Sequence, residues 1–176
     1  RAEVRPLVSP GAVLIVSLGV PPPRLVSDVA SALREVLAVA ARPGPTLERP
    51  RYAFNEGRGQ YHTSAILRRL AGFRAAGAPV LGVADFALFV PDAPFVIGDA
   101  DRDAGAALFS LSRLGHADPD RVRRRAQVEA VHEMGHLLGL SHCADYRCAM
   151  VLTREAADAD RKGPGLCAGC RTALGI

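Results

Sequence analysis

The fold and the chemistry of this chain are decided by one stretch, VHEMGHLLGLSH at residues 131–142. On a helix, residues four apart lie about 6 Å apart along the axis and differ by about 40° in azimuth, so His132 and His136 project to one side. Their imidazoles can share one metal ion at about 2.0–2.1 Å. Glu133 follows His132 directly, which is where the general base for a metal-bound water is expected.

Gly139 and His142 complete the pattern. Glycine can adopt the left-handed conformation that ends a helix and turns the chain, so His142 can return as a third ligand. Three neutral nitrogen ligands without a fourth protein ligand describe a catalytic zinc with a water in the open position. The predicted reaction is attack of this water on an amide carbonyl, with Glu133 taking the proton and passing it to the leaving amine.

All four cysteines of the chain follow this motif, at Cys143, Cys148, Cys167 and Cys170. They could form two disulfides, for which three connectivities exist, or they could hold a structural zinc as four thiolates. The CxxC spacing of the last two favours the metal, because ligands in a tight turn fit a tetrahedron well. A short tail with little core of its own also gains folding free energy from a metal ion.

Upstream of the motif, the apolar pattern alternates between strands and helices. The predicted strands are 11–18, 46–54, 79–90, 95–97 and 106–111, and the predicted helices are 24–41 and 61–76. Asp118 is predicted to cap the motif helix, with Pro119 at its first position and Gly139 at its end. The aspartates at 99–103 are expected in a solvated turn, and Asp160 and Lys162 at the surface of the loop between the cysteine pairs.

Composition and charge exclude several classes of protein. The chain has 176 residues, 49% of them hydrophobic and 23% charged, which excludes wholesale disorder. The longest apolar stretch, 11–20, is too short to span a bilayer. A net charge of +4 keeps nucleic acid under consideration, but the arginines are spread along the chain. We therefore expect a monomer in the cytoplasm, with no nucleic-acid or membrane partner.

The complete motif resembles that of the archaemetzincins. It runs HExxHxxGxxHC, four residues, Cys, one residue, Met, sixteen residues and CxxC, and every position matches. The matching residues are His132, Glu133, His136, Gly139, His142, Cys143, Cys148, Met150, Cys167 and Cys170. The resemblance implies a metzincin-type metallopeptidase, with Met150 in a methionine turn beneath the catalytic zinc and a second zinc on the cysteines. Residues 151–155 depart from the family pattern, so the substrate specificity does not carry over.

Together these observations predict one α/β (α+β) metallopeptidase domain spanning residues 1–176. An N-terminal lobe, 1–139, contains a twisted, mostly parallel sheet with helices and includes the zinc helix. A small irregular C-terminal lobe, 140–176, is organised by the cysteine zinc and ends in a short helix from Cys170. The active-site cleft is expected between the lobes, with an edge strand near 95–97 available for pairing with an extended peptide.

The predicted function is zinc-dependent hydrolysis of peptide or protein substrates, with two zinc ions per chain, one catalytic and one structural. One alternative is a catalytically weak or inactive zinc module that binds peptides or protein partners, and the presence of Glu133 argues against it. Another is a nucleic-acid-binding zinc protein, which only the charge suggests. Peptide turnover would support the first reading, and salt-dependent binding to DNA would support the last.

Overall fold

The computed structural model describes residues 11–116 and 118–176. The strands are β1 (Val13–Leu18), β2 (Ala41–Leu47), β3 (Phe54–Asn55), β4 (Gln60–His62), β5 (Val80–Ala84), β6 (Leu88–Phe89), β7 (Gly98–Asp101) and β8 (Ala106–Ser110). The helices are α1 (Pro23–Leu37), α2 (Thr63–Ala71), α3 (Pro119–Leu137), α4 (Ala156–Lys162) and α5 (Ala168–Leu174). None of the helices in these two ranges is long and apolar enough to cross a membrane.

A five-stranded sheet in the order β2-β1-β5-β8-β7 forms the centre of the molecule. The first four strands run parallel, and β7 pairs antiparallel with β8. Strands β1, β5 and β8 are buried along their whole length because helices cover both faces. Ile15 faces a core shared with α1 and α3, and its neighbour Val16 faces a core shared with α2. The predicted α/β class with a mostly parallel sheet is therefore confirmed.

The helix that carries the motif begins and ends as predicted. The Asp118 carboxylate accepts hydrogen bonds from the backbone N–H groups of Asp120 and Arg121, and Pro119 is the first residue of α3. The helix ends at Leu137, and Gly139 then adopts a φ of +104°. That conformation strains any residue with a side chain, so glycine is required at the turn that follows the helix.

The predicted helix over 24–41 and the strand over 46–54 were wrong in their bounds. Helix α1 ends at Leu37, where Ala38 takes a left-handed conformation with φ +55°. Strand β2 then starts at Ala41 and includes Pro43 and Pro45. This strand pairs with β1 alone, and an edge strand tolerates prolines because their missing N–H groups need not face a partner.

The apolar run over 79–90 was predicted as one strand, but it divides between two sheets. Its first part is β5, and after a break at 85–87 its end is β6, which belongs to a three-stranded sheet in the order β3-β4-β6. The break is fixed by Asp85, whose carboxylate accepts hydrogen bonds from Val20 N at 2.9 Å and Arg49 Nε at 3.1 Å. Apolarity predicted burial correctly but did not show where the chain changes sheet.

The expected edge strand lies three residues later than predicted. Residues 95–97 contribute one isolated bridge, between Val96 and Leu88, and the edge strand of the main sheet that follows them is β7. Asp99 and Asp101, expected in a solvated turn, are part of this strand. Pairing with β8 overrides their low strand propensity, and the Asp99 carboxylate accepts a hydrogen bond from Thr63 Oγ1 at 2.6 Å.

The C-terminal segment contains more helix than the sequence predicted. It contains α4, and α5 begins at Ala168 rather than Cys170, with the Cys167 sulfur as its cap. The prediction that Lys162 is a surface residue was wrong, since it is only 5% exposed. A small core of Leu140, Cys148 and Met150 lies beneath this segment.

Candidate metal centres

Helix α3 brings two imidazoles together at its C-terminal end. His132 is 3% exposed and His136 is half-buried, and their Nε2 atoms lie 3.1 Å apart. The Nδ1 atom of His132 is 2.7 Å from the carbonyl oxygen of Ala149, and the Nδ1 atom of His136 is 2.9 Å from that of Leu140. Because a carbonyl oxygen only accepts, each Nδ1 carries the proton and each Nε2 presents a lone pair.

The facing lone pairs of these two rings fit a bound cation. Two nitrogens at 2.0–2.1 Å from a tetrahedral zinc lie about 3.3 Å apart, close to the separation in this structure. Burial, together with the nearby positive charge of Lys162, lowers the pKa of His132 to about 3. The ring is therefore neutral at physiological pH, as a metal ligand must be.

His142 reaches the same place by the turn at Gly139. The turn is closed by hydrogen bonds from Gly139 N to His136 O at 3.0 Å and from Leu140 N to Gly135 O at 2.9 Å. The His142 ring centroid lies 5.2 Å from that of His132 and 4.9 Å from that of His136. One nitrogen from each of the three rings lies within 4.8 Å of the others, so the predicted triad is assembled.

The Glu133 carboxyl group lies against strand β7. It is 5% exposed, and a Cβ atom added at Gly98 would collide with its Oε1. Burial raises the pKa of Glu133 well above its usual value, and the charges of Glu129 and Asp99 raise it further. The group is thus held beside the histidines in a pocket that favours its protonated form.

Met150 packs under the motif helix. The resemblance to the archaemetzincins implied a methionine turn at this residue. Its side chain is fully buried, and its Sδ occupies the space where a Cβ at Gly135 would stand. The backbone oxygen of Met150 accepts a hydrogen bond from Cys143 N at 3.0 Å. The residue therefore acts by packing and by fixing the chain next to His142.

The four cysteines also converge. Their sulfur atoms lie within 4.8 Å of one another, and none of the four forms a disulfide. Cys143 Sγ and Cys167 Sγ are 3.7 Å apart, far beyond a disulfide bond of about 2.05 Å. Sulfurs at about 2.3 Å from a tetrahedral zinc lie about 3.8 Å apart, so the arrangement fits a metal.

Backbone N–H groups point at these sulfurs. Asp145 N donates to Cys143 Sγ and Cys167 N donates to Cys148 Sγ, each at 3.4 Å. The hydrogen bond from Cys170 N is the main cause that lowers the pKa of Cys167 to about 7. Such bonds favour thiolates, which are the form that binds zinc.

The histidines and Glu133 line one cleft of about 600 Å³. One wall is the apolar segment 93–97 and the other is 152–154. Arg58 holds the first wall by donating hydrogen bonds to the carbonyl oxygens of Ala93 and Pro91, and the Arg113 guanidinium lies 3.5 Å from the ring centre of Phe95. The stretch that departs from the family pattern, 151–155, therefore contributes residues 152–154 to the cleft wall.

Three buried polar residues beside the cleft were missed by sequence reasoning: Glu129, Thr153 and Lys162. The sequence carried a signal for two of them, Glu129 and Lys162. Glu129 stands four residues before Glu133, on the same face of the helix, and Lys162 is the single lysine of an arginine-rich chain.

Residues 43–175 match the sequence model of peptidase family M54. The chain belongs to this family. A curated relative, the archaemetzincin of Methanopyrus kandleri, is 36% identical over 125 residues, which cover 71% of either chain. The crystal structure of the Methanopyrus kandleri archaemetzincin matches with a TM-score of 0.86 at 30% identity and covers 97% of both chains.

A second solved structure, of a zinc-dependent peptidase from Methanocorpusculum labreanum, matches with a TM-score of 0.78 at 26% identity. It covers 92% of this chain and 99% of its own. These findings confirm the resemblance drawn from the motif and the predicted enzyme class. The chain is a zinc metallopeptidase of the M54 family, and peptides are its substrates.

Proposed function

We propose that this M54 peptidase hydrolyses peptide bonds with a zinc ion held by His132, His136 and His142 and with Glu133 as the general base. The convergence of three imidazole nitrogens beside a buried carboxyl group carries the proposal. Zinc bound there would supply the Lewis acid that acidifies a water molecule and polarises the scissile carbonyl. Gly139 turns the chain so that His142 joins the site.

Glu133 moves the proton in this proposal. Its carboxylate accepts a proton from the attacking water and then donates it to the nitrogen of the leaving amine. Burial makes the Glu133 carboxylate a stronger base, so it would hold the accepted proton until the amine leaves. A zinc ion bound at the histidines would favour the deprotonated form that accepts the proton in the first place. Gly98 leaves the space that the carboxyl group occupies.

A second zinc is proposed at Cys143, Cys148, Cys167 and Cys170, giving two ions per chain. Its role is structural, since four thiolates leave no open position for substrate. The small core around Leu140 and Met150 is modest, and a metal would add folding free energy to the segment that carries it.

The substrate is proposed to bind along β7, whose outer edge is free in the five-stranded sheet. An extended peptide would add to this edge as a further strand and pass over the histidines. Residues 1–139 and 140–176 would act as the two lobes of one peptidase domain, with the cleft between them. A monomeric state, a cytoplasmic location and the absence of a nucleic-acid partner stay predictions.

Replacing Glu133 by Gln tests the proposed base. The variant should keep both zinc ions and lose peptide hydrolysis by about 10²–10⁴-fold, because the amide cannot accept the proton. Element analysis and turnover of a peptide library are the measurements, with exposed Glu35→Gln on α1 as the matched control. Equal turnover by the Glu133→Gln variant and the parent would show that another group activates the water.

Zinc counting tests the two sites. Two zinc ions per chain are expected under native conditions, and a single ion with two disulfides by non-reducing mass spectrometry would overturn the cysteine site. Peptide binding by the parent without turnover would instead support the binding-module alternative.

A further inference from the structure

Lys162 is buried against residues 149–151, a segment that follows one of the cysteines and contacts one of the histidines. It is the last residue of α4, its side chain is 1% exposed, and its Nζ donates hydrogen bonds to the carbonyl oxygens of Ala149, at 3.0 Å, and of Val151. The Nζ also lies 4.0 Å from Glu129 Oε1. Two of the three ammonium donors are thus used in hydrogen bonds to carbonyl oxygens, and the Glu129 carboxyl group lies beyond hydrogen-bond distance but close enough for an ion pair.

One of these oxygens orients a proposed metal ligand. The Ala149 carbonyl that accepts from Lys162 also accepts the hydrogen bond from His132 Nδ1 at 2.7 Å. Ala149 follows Cys148, which belongs to the cysteine cluster, and its own N–H donates to Gly165 O at 2.8 Å. A single residue, Ala149, thus connects a cysteine of one cluster to a histidine of the other, and Lys162 binds its carbonyl oxygen.

The positive charge of Lys162 is balanced by the motif helix. Glu129 on α3 is 2% exposed, and its Oε1 accepts a hydrogen bond from Thr153 Oγ1 at 2.6 Å. Glu129, Thr153 and Lys162, called the clamp below, therefore join α3, the segment after Met150, and α4. Burying an ion pair costs desolvation energy, and a purely structural contact could be made by apolar residues at no such cost.

The identity of the cation also fits this geometry. Every other basic residue of the chain is arginine, whose guanidinium is planar and longer. Two carbonyl acceptors and one carboxyl group around a buried point suit a compact ammonium instead. The geometry of the clamp therefore favours lysine over arginine at position 162.

We propose that Lys162 is a positioning residue for the catalytic metal site, acting through the Ala149 carbonyl to fix the proton on His132 Nδ1 and to aim its Nε2 at the metal. This inference rests on the proposed role of His132 as a ligand. Partners that orient a ligand in this way typically contribute 10–100-fold to metal affinity. Loss of Lys162 should therefore weaken metal binding at the histidines without removing any ligand.

The test compares the zinc dissociation constant of the histidine site in the full-length parent and in a Lys162→Met variant, by chelator competition. Methionine keeps most of the apolar stem and removes the donors, and a 10–100-fold weaker constant is expected. Because the variant leaves Glu129 buried without its cation, a Glu129→Gln/Lys162→Met double variant removes that charge as well. We expect the double variant to regain thermal stability while its zinc affinity stays weak.

A matched control separates orientation from stability. Leu67→Ala truncates a buried side chain of α2, on the opposite face of the sheet, and should lower the unfolding temperature while leaving the zinc constant unchanged. A second readout is the NMR signal of the His132 Nδ1–H proton, which should be lost or broadened only in the Lys162 variants.

The outcomes are distinguishable. Unchanged zinc affinity in Lys162→Met, or recovery of affinity together with stability in the double variant, would overturn the role of Lys162. A parent that binds one zinc, on the cysteines only, would instead overturn the proposed catalytic site itself.

Discussion

Gly98 and Gly135 give two side chains of the site the space they occupy. A Cβ at Gly98 would collide with the Glu133 carboxyl group, and a Cβ at Gly135 would collide with the sulfur of Met150. Neither glycine has a positive φ, so the backbone conformation does not require glycine at these positions. The close approach of neighbouring atoms does: the Glu133 carboxyl group and the Leu108 carbonyl oxygen at Gly98, and the Met150 sulfur at Gly135.

The first residue-scale prediction concerns Gly98→Ala. The added methyl group should displace the Glu133 carboxyl and lower turnover, by up to about 10²-fold for a shift near 1 Å, with zinc content unchanged. Peptide turnover and element analysis are the measurements. Gly57→Ala is the control, since its Cβ would meet Asn55 Oδ1 at an ordinary 3.5 Å. Wild-type turnover in Gly98→Ala would contradict the predicted contact.

The second residue-scale prediction concerns Gly135→Ala, for which we expect the opposite of the usual effect of a glycine-to-alanine substitution on helix stability. Replacing a glycine inside a helix by alanine usually stabilises it by about 1 kcal/mol. At Gly135 the collision with Met150 should instead destabilise the protein by about 1–3 kcal/mol, measured by chemical unfolding. In a Met150→Ala background the collision is absent, so the same substitution should become neutral or stabilising. A higher unfolding temperature for Gly135→Ala alone would show that Met150 moves aside freely.

At the scale of elements, α3 is tied to α4 by a second contact away from the clamp. Arg125 donates from Nε to Asp160 Oδ1 at 2.8 Å and from Nη2 to Asp160 Oδ2 at 2.6 Å. Its Nη1 donates to the carbonyl oxygen of Leu114 at 2.5 Å. The bidentate geometry makes this pair stronger than a single surface contact, and the hydrogen bond from Arg125 lowers the pKa of Asp160.

This pair predicts a pH-dependent stability. A carboxyl group whose pKa is lowered in the folded state contributes stability above its unfolded pKa of about 3.9, and that contribution is lost as the pH falls through the folded value. Asp160→Asn should therefore unfold at a lower temperature than the parent at pH 7, and the difference should shrink below about pH 4. Thermal unfolding across this pH range is the measurement, with exposed Asp92→Asn as control. An equal difference at pH 3 and pH 7 would contradict the ion pair.

At the scale of the whole molecule, the two candidate metal centres share stretches of chain. Cys143 follows His142 directly, and Cys148 precedes the residue whose carbonyl orients His132. Each centre therefore fixes backbone that the other depends on. None of the four cysteines lines the cleft, so the cysteine centre would influence catalysis through the geometry of the chain.

A substitution at the cysteine centre should therefore weaken zinc binding at the histidine site. Cys170→Ser should lose the structural zinc, lower the unfolding temperature more than Glu133→Gln does, and weaken zinc binding at the histidines. Cys170 is chosen because it adjoins neither His142 nor Ala149. Zinc dissociation constants, measured in variants whose circular dichroism matches the parent, are the readout. Equal affinity at the histidines would mean that the two centres are independent.

The elements that sequence reasoning predicted are those with local signals. Helix α3 has a capping aspartate, a proline at its first position and a glycine just after its end, and these act within a few residues of one another. Strand β2 has two prolines and β7 has two aspartates, so their propensities oppose the strand that each forms. Hydrogen bonds to their pairing partners, β1 and β8, stabilise both segments as strands despite these propensities.

The sequence alone was enough to propose the two ligand sets. Helical periodicity places His132 beside His136, glycine at 139 allows the turn to His142, and the CxxC spacing favours a metal over disulfides. Only the tertiary structure decided that Lys162 is buried against Glu129 and that Gly98 accommodates Glu133. These pairs are far apart along the chain, and no spacing rule relates them. Local geometry is set by the backbone repeat, whereas contacts between distant segments depend on how the sheet and helices pack.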